Sequence, residues 1–251
     1  MMGSIIKGYK EYNPPAGLRA YIDRYWSYAA DSATISSNSH LIIPDGCIDI
    51  IFDLNQPATL KSFVVGAMTK PLENTRIHLV GVRFNPGMAY PYLNAPVHEL
   101  TDQCVDYFEF AGQEANHLSN QLTDLNSTKQ QIELLNKTFA SRLSSINGIE
   151  PKMAKALNLI QRTQGRSSIK QISGEVAWSR QHLTRQCLKY TGLTTKFLSQ
   201  VIRIKHVIKQ HGTETCPNLS QLSCDGGYYD QSHMINEFKI ITGQTPLEFF
   251  D

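Results

Sequence analysis

Two segments near the C-terminus place polar side chains that could do chemistry at matching positions. His182 and His233 lie 51 residues apart, and Thr191-Gly192 recurs at the same offset as Thr242-Gly243. Histidines can bind a metal ion or transfer protons. Each of these two, however, precedes an apolar residue at the same place of its repeat. The pattern favours helix packing or phosphate contact over a metal site or a catalytic site.

Other candidate constellations are weak. The five cysteines show no Cys-x-x-Cys spacing, and no phosphate-binding glycine loop or nucleophile elbow is present. We therefore expect no metal, no cofactor and no catalytic residue. Asp45, Asp49 and Asp53 recur at intervals of four, with His40 and Arg83 nearby. Turn and strand-edge roles are favoured for Asp45 and Asp53; the alternative is a polar set that orients a ligand at the mouth of a β-barrel.

Charge is distributed unevenly along the chain. Residues 1–150 carry 11 basic and 15 acidic side chains, whereas residues 151–251 carry 13 basic and 7 acidic ones. Such asymmetry suggests that the C-terminal part meets a polyanion. The odd number of cysteines, the lack of a signal-peptide core and the lack of a long apolar run favour a cytoplasmic protein without a membrane partner.

Elements of two kinds must position these residues. Short apolar and β-branched runs separated by turn signals predict strands at 21–28, 41–43, 47–54, 62–67 and 76–84. After residue 97 the period becomes helical, and Ser127 begins a capping box ahead of a helix with Ile132, Leu135 and Phe139 on one face. These patterns predict an α+β domain over residues 1–148, a small β-barrel or sandwich plus helices.

Residues 149–251 show only helix signals and contain the repeat. Each copy consists of a short helix, a tight turn and a second helix, which is the helix-turn-helix plan. In that plan the second helix, the recognition helix, enters the major groove of DNA. Ser179 is expected to begin the first recognition helix and Gly192 to end it. The pattern predicts an all-α domain with two helix-turn-helix units.

The C-terminal sequence resembles the AraC/XylS-type transcription regulators. The segment 222–239, followed by Gly-Gln-Thr-Pro at 243–246 and by Phe249, resembles their second helix-turn-helix unit. The segment 179–185, with Gly192, Phe197 and Arg203, resembles the first, and the similarity covers residues 152–250. Cys187 departs from the pattern, because an aromatic residue is usual there.

The N-terminal sequence is similar to an uncharacterised domain found ahead of AraC-type modules. The residues that carry this similarity are Trp26, the segment 41–52, Val65-Gly66 and the segment 81–87. In relatives with β-barrel front domains, that domain senses small molecules and dimerises. By analogy, the resemblance implies a sensory or dimerisation domain here, and it does not supply the identity of a ligand.

The outward faces of the two recognition helices follow from their inward residues. The predicted inward residues are Leu183, Cys187 and Tyr190 in the first helix and Met234, Phe238 and Ile241 in the second. The predicted DNA-contacting residues are therefore Arg180, Gln181, Thr184, Arg185 and Lys189, and Gln231, Ser232, Ile235, Asn236 and Lys239. Arg185 suits guanine, Gln181 and Asn236 suit adenine, and Ile235 suits a thymine methyl group. Glu237 is expected to point away from this surface.

The sequence thus predicts a sequence-specific DNA-binding transcription regulator, controlled by a small-molecule ligand of its N-terminal domain. Its expected partners are double-stranded DNA, a small-molecule effector, a second copy of the chain and, for an activator, RNA polymerase. The alternatives are an enzyme tethered to nucleic acid and a protein-interaction module. Such an enzyme would require a reactive cysteine in a Pro-Cys-His setting, which Cys47 lacks.

Overall fold

The computed structural model describes residues 7–29, 40–55, 61–74, 76–211 and 218–250. The strands in these ranges are β1 Tyr9–Tyr12, β2 Ile22–Tyr28, β3 His40–Ile42, β4 Ile48–Asp53, β5 Ser62–Val65, β6 Leu72–Asn74, β7 Leu79–Phe84 and β8 Cys104–Asp106. Antiparallel pairing gives a sheet in the order β1-β2-β7-β4-β5-β8, and β3 pairs with β6.

Strands β4 and β7 lie at the centre of the larger sheet. Val82 of β7 lies opposite Tyr25 of β2 on one side and opposite Ile50 of β4 on the other. Both faces of these strands are covered, because Phe84 of β7 packs in the cluster with the helices and Ile51 of β4 packs in a separate cluster. The predicted α+β class is confirmed, with the described strands forming open sheets whose edges in the larger one are β1 and β8.

Helices cover the face of the sheet that carries Phe84. They are α1 Tyr90–Leu93, α2 Phe108–Ala111, α3 Gln113–Asp124 and α4 Thr128–Ser141, with 3-10 helices at Ala16–Leu18 and Val97–Leu100. Helix α4 begins where predicted, because the Ser127 hydroxyl accepts a hydrogen bond from the backbone N–H three residues later. Its stripe of Ile132, Leu135 and Phe139 is buried, so it forms part of the N-terminal core.

The C-terminal part is helical throughout its described residues. Its helices are α5 Pro151–Arg162, α6 Ile169–Glu175, α7 Arg180–Thr191, α8 Thr195–His211, α9 Leu219–Asp225, α10 Gln231–Thr242 and α11 Pro246–Phe250. Pro151 occupies the first turn of α5, and Ser168 and Gln171 form a capping box at α6. Within the described ranges, no helix is both long and apolar enough to cross a membrane.

The N-terminal and C-terminal parts share buried apolar clusters. Phe139 belongs to the same cluster as Met153 of α5 and Leu198 of α8. Ile43, which follows β3, belongs to a second cluster with Val201 of α8. Buried packing therefore connects the two parts of the chain on either side of the boundary predicted at residue 148, between α4 and α5.

We predict that Leu135→Glu strongly destabilises the N-terminal part, because it places a charge in the core beneath α4. The expected loss of unfolding free energy is about 4 kcal/mol or more. Urea denaturation followed by circular dichroism measures this loss. Lys137→Glu, on the exposed face of the same helix, is the control and should change stability by about 0.5 kcal/mol or less. A folded Leu135→Glu protein of ordinary stability would contradict the assignment.

Candidate nucleic-acid interface

The first helix-turn-helix unit consists of α6 and α7. The turn between them contains Ala177 with a φ of 51°, and the Ser179 hydroxyl then accepts a hydrogen bond from the His182 N–H at 3.1 Å. Leu183 and Cys187 are fully buried. The cysteine that replaces the usual aromatic residue therefore fills an inward position. These contacts fix which side of α7 faces outward.

The second unit, α9 and α10, repeats this construction. The Asp230 carboxylate accepts a hydrogen bond from the His233 N–H at 2.7 Å. At the other end, Thr242 donates to the Phe238 carbonyl, as Thr191 does to the carbonyl four residues before it. Gly192 and Gly243 follow these threonines with φ near 76° and 79°, which favour glycine. The repeated Thr-Gly pairs are thus helix ends.

The two repeated histidines have a shared structural role. The His182 ring meets the Trp178 ring edge-on, with centroids 4.7 Å apart, and His233 meets Tyr228 in the same way at 5.4 Å. Each histidine therefore packs against the aromatic residue of its own turn. No group of three or more His, Cys, Asp or Glu side chains that could hold a metal is found in the described part of the chain.

The polar faces predicted for α7 and α10 lie on the outside of both helices. Arg180, Gln181, Arg185, Gln231, Ser232, Asn236 and Lys239 are exposed, and Thr184, Lys189 and Ile235 are half-buried. Met234, Phe238 and Ile241 are buried, as predicted. The Arg185 guanidinium lies 2.9 Å from the His182 ring nitrogen Nδ1, which holds it along the outward face of α7.

The N-terminal part lies beside the outward face of α7. Pro96 and His98 share an open cleft of about 710 Å³ with the outward residues of that helix. The Thr101 hydroxyl donates to the Gly192 carbonyl at 2.7 Å, which fastens the C-terminal end of α7. There Lys189 lies over the Tyr90 ring, 5.3 Å from its centroid. The outward face of α7 thus carries the predicted DNA-contacting residues and also contacts the N-terminal part.

A buried polar network joins the second unit to α8. Glu237 is only 3% exposed and accepts hydrogen bonds from Tyr228 at 2.5 Å and Gln200 at 2.9 Å. Arg203 lies 3.7 Å from the same carboxylate and donates to the Gly165 carbonyl. Burial and the neighbouring carboxylate raise the pKa of the Tyr228 hydroxyl far above its ordinary value. Glu237 therefore lies away from the outward polar face of α10, as predicted.

The aspartates of the N-terminal part are paired within the protein. Arg83 bonds Asp49 through Nη2 at 2.7 Å and Asp45 through Nη1 at 3.1 Å. Asp45, in the loop before β4, also accepts from the Cys47 N–H, and Asp53, the last residue of β4, accepts from the Asn55 N–H. These positions agree with the turn and strand-edge roles predicted for the two residues. The His40 side chain lies outside the described residues.

The same charge cluster reaches α8. Burial acts to raise the pKa of Asp45, but Arg83 and Lys205 outweigh it and hold the pKa below its ordinary value. Burial raises the pKa of Asp49, because the guanidinium shared with Asp45 offsets burial only in part. Since Lys205 belongs to α8, the cluster couples the sheet electrostatically to the C-terminal part.

Two family profiles match the sequence. Residues 172–251 match a helix-turn-helix domain, and residues 10–106 match a domain of unknown function (DUF6597). The fold and the two recognition helices define a DNA-binding protein of the helix-turn-helix class. More specifically, residues 172–251 form an AraC-type helix-turn-helix domain at the C-terminus of the chain.

Solved structures of ToxT from Vibrio cholerae are similar over most of the chain. The protein from O395 is 12% identical with a TM-score of 0.42, covering 98% of each chain. Its complex with (E)-4-(8-methylnaphthalen-1-yl)but-3-enoic acid is 12% identical with a TM-score of 0.43, covering 97% of this chain and 98% of that one. The unsaturated fatty acid-bound protein from strain SCE256 is 12% identical with a TM-score of 0.41, covering 97% and 93%. The similarity is distant in sequence and in structure, and no curated protein matches significantly.

Local sequence patterns do not identify the residues that hold α7 against the N-terminal part. Thr101 and Gly192 lie 91 positions apart, and Tyr90 meets Tyr190 with ring centroids 4.6 Å apart. Neither contact follows from local spacing. The sequence predicts only a helix-ending role for Gly192, yet a Cβ atom there would lie 3.2 Å from the Val97 carbonyl oxygen.

We predict that Arg203→Met destabilises the C-terminal part by about 3–5 kcal/mol, because Glu237 loses its buried cationic partner. Thermal and urea denaturation measure the loss. Arg203→Met combined with Glu237→Gln should recover part of it, since the uncompensated charge is then absent. Arg162→Met, on the exposed end of α5, is the control. A cost below about 1 kcal/mol, or a double variant no more stable than the single one, would contradict the role of this pair.

Proposed function

We propose that this regulator reads two segments of one DNA duplex with α7 and α10, and that its N-terminal domain controls the reading in response to a small molecule. The supporting observation is that both recognition helices bury their predicted apolar side and present a polar side outward. Helix α8, with 17 residues, is about 25 Å long. A helix of this length holds the two units apart. Such a separation is needed if they are to enter successive major grooves, which are about 34 Å apart on one face of DNA.

Sequence preference is assigned to four of the outward residues. Arg185 pairs with guanine, Gln181 and Asn236 pair with adenine, and Ile235 packs on a thymine methyl group. The cations at the margins of these faces neutralise phosphates and supply affinity without sequence preference. Selection of duplexes from a random library by the purified full chain tests this function directly: failure to enrich any sequence would refute it.

Control by the N-terminal domain is supported by its two contacts with the DNA-binding domain. The segment Val97–Thr101 lies against α7, and Ile43 and the Asp45 cluster lie against α8. A recognition helix about 10–12 Å across fills a major groove about 12 Å wide. Pro96 and His98 therefore have to leave the cleft before α7 can enter the groove, and a ligand that moves them would regulate binding.

The proposal also includes a cytoplasmic location, a homodimer and, for an activator, contact with RNA polymerase. These elements rest on the sequence resemblance. In a dimer, one bound DNA domain raises the effective concentration of the other at a second site. Sedimentation of the full chain, alone and with a selected duplex, tests the dimer: a single chain in both conditions would exclude it.

Arg185→Ala is expected to weaken binding to the selected duplex by about 1–3 kcal/mol and to relax base preference at one position. Stability should change by about 0.5 kcal/mol or less, because the side chain is exposed. Titration of the full chain with selected and altered duplexes measures both effects. Lys137→Ala, on α4 of the N-terminal part, is the charge-matched control. Normal operator binding by Arg185→Ala would contradict base reading by this residue.

Thr101→Val is expected to strengthen DNA binding, because it removes the hydrogen bond to Gly192 while keeping the side-chain shape. A neutral hydrogen bond contributes about 1 kcal/mol, so the apparent affinity should rise up to roughly fivefold if the docked state dominates. Thr138→Val on α4 serves as the control. Unchanged or weaker DNA binding by Thr101→Val would show that the contact does not restrain α7.

A further inference from the structure

The turn of the second unit is one residue longer than the turn of the first. Trp178 and Tyr228 are equivalent, because their N–H groups donate to the carbonyls of Ser173 and Ser223 at 3.0 and 2.9 Å. The additional residue is Tyr229, between Tyr228 and the residue that caps α10. Its side chain is 99% exposed, so the inserted aromatic residue contributes nothing to the core.

Tyr229 lies just before the N-terminal end of α10, and this end of the helix is proposed to approach DNA. The next outward residues, Gln231 and Ser232, are exposed and belong to the proposed DNA surface. In a helix-turn-helix the N-terminal residues of the recognition helix approach the base edges, while the first helix crosses the DNA backbone. Contacts to phosphate commonly come from helix N-termini. Tyr229 therefore extends the proposed interface by one aromatic side chain with a hydroxyl group.

The cationic side chain of Arg166 packs against the same turn. Arg166 precedes α6 and is exposed, and its Cδ atom lies 2.9 Å from the position that a Cβ atom would take on Gly227. Gly227 has a φ of 68°, so glycine serves both the backbone conformation and the close approach of Arg166. The arginine stem is thus packed against the turn two residues before Tyr229.

Nearby carboxylates are already engaged. Asp230 caps α10 through the His233 N–H, and Asp225 accepts hydrogen bonds from His211 and Gln221. The outward face of α10 carries one predicted cationic contact, Lys239, whereas the face of α7 carries three. Tyrosine hydroxyls and arginine guanidinium groups commonly bond phosphate oxygens in protein–DNA complexes. The turn therefore offers the second unit backbone contacts that its helix lacks.

We propose that Arg166 and Tyr229 together bind the DNA phosphate backbone beside the second recognition helix. The Tyr229 hydroxyl donates to one phosphate, and the Arg166 guanidinium neutralises a phosphate from the opposite side of the turn. The inference rests on the proposed function and adds two residues to it. Phosphate contact by these residues fixes the position of α10 on the duplex without adding sequence preference.

The test compares Tyr229→Phe, Tyr229→Ala and Arg166→Gln in the full chain. The probes are a duplex selected by the unaltered protein and a random-sequence duplex, each titrated over a range of salt concentrations. Both tyrosine variants should lose roughly tenfold in affinity, equally on the two duplexes and with an unchanged salt slope. Arg166→Gln should reduce that slope by about 0.9 per DNA-bound chain.

The controls are Phe108→Ala, which removes an exposed aromatic side chain from α2, and Lys137→Gln, which removes an exposed cation from α4. Thermal unfolding midpoints of all variants should match that of the unaltered chain. Unchanged DNA affinity of the tyrosine variants, an unchanged salt slope of Arg166→Gln, or losses confined to the selected duplex would overturn the proposal. Normal DNA binding with impaired transcription would instead assign Tyr229 to a protein partner and would also overturn it. If Arg185→Ala weakens selective binding while these variants do not, only this inference fails.

Discussion

Helix α8 is the element on which both parts of the molecule depend, because its apolar side chains are buried in two clusters that each include residues of the N-terminal part. Leu198 packs in the cluster that contains the core of the N-terminal part. Val201 and Val207 pack in the cluster of the second helix-turn-helix unit, which Ile43 also joins. Arg203 adds a buried polar link to Glu237. A rotation of α8 would break these contacts together, so the helix fixes the two recognition helices relative to each other and to the sheet.

Local physical rules made the DNA-binding domain predictable from sequence. Ser179 and Gly192 mark the ends of α7, and an inward residue such as Leu183 then determines which side chains face outward. The polar faces of α7 and α10 followed from the period of the helix. Their contact with DNA stays a prediction.

The N-terminal part was less predictable, because its elements depend on distant partners. Strands β1, β6 and β8 have three or four residues each and lie at sheet edges or in the separate pair, so they lack the apolar run that indicates a buried strand. The spacing of Asp45, Asp49 and Asp53 is visible in the sequence. The pairing of Asp45 and Asp49 with Arg83, however, depends on the register of β4 against β7, which sets Asp49 opposite Arg83. The contact of Thr101 with Gly192 required the whole fold.

The interactions at the C-terminal end of α7 suit a reversible contact. One neutral hydrogen bond, one pair of tyrosine rings and one lysine over a ring join it to the N-terminal part, and each contributes about 1 kcal/mol. Their sum lies within the range that the differential affinity of a ligand can offset. Tyr190 of α7 also belongs to one buried apolar cluster with Val97 and Leu100 of the N-terminal part, as Leu198 of α8 does. Separating either helix from the N-terminal part therefore has a further hydrophobic cost. A ligand that frees α7 has to offset the burial of Tyr190 as well as these directional contacts, so its differential affinity for the docked and released states determines how far α7 is released.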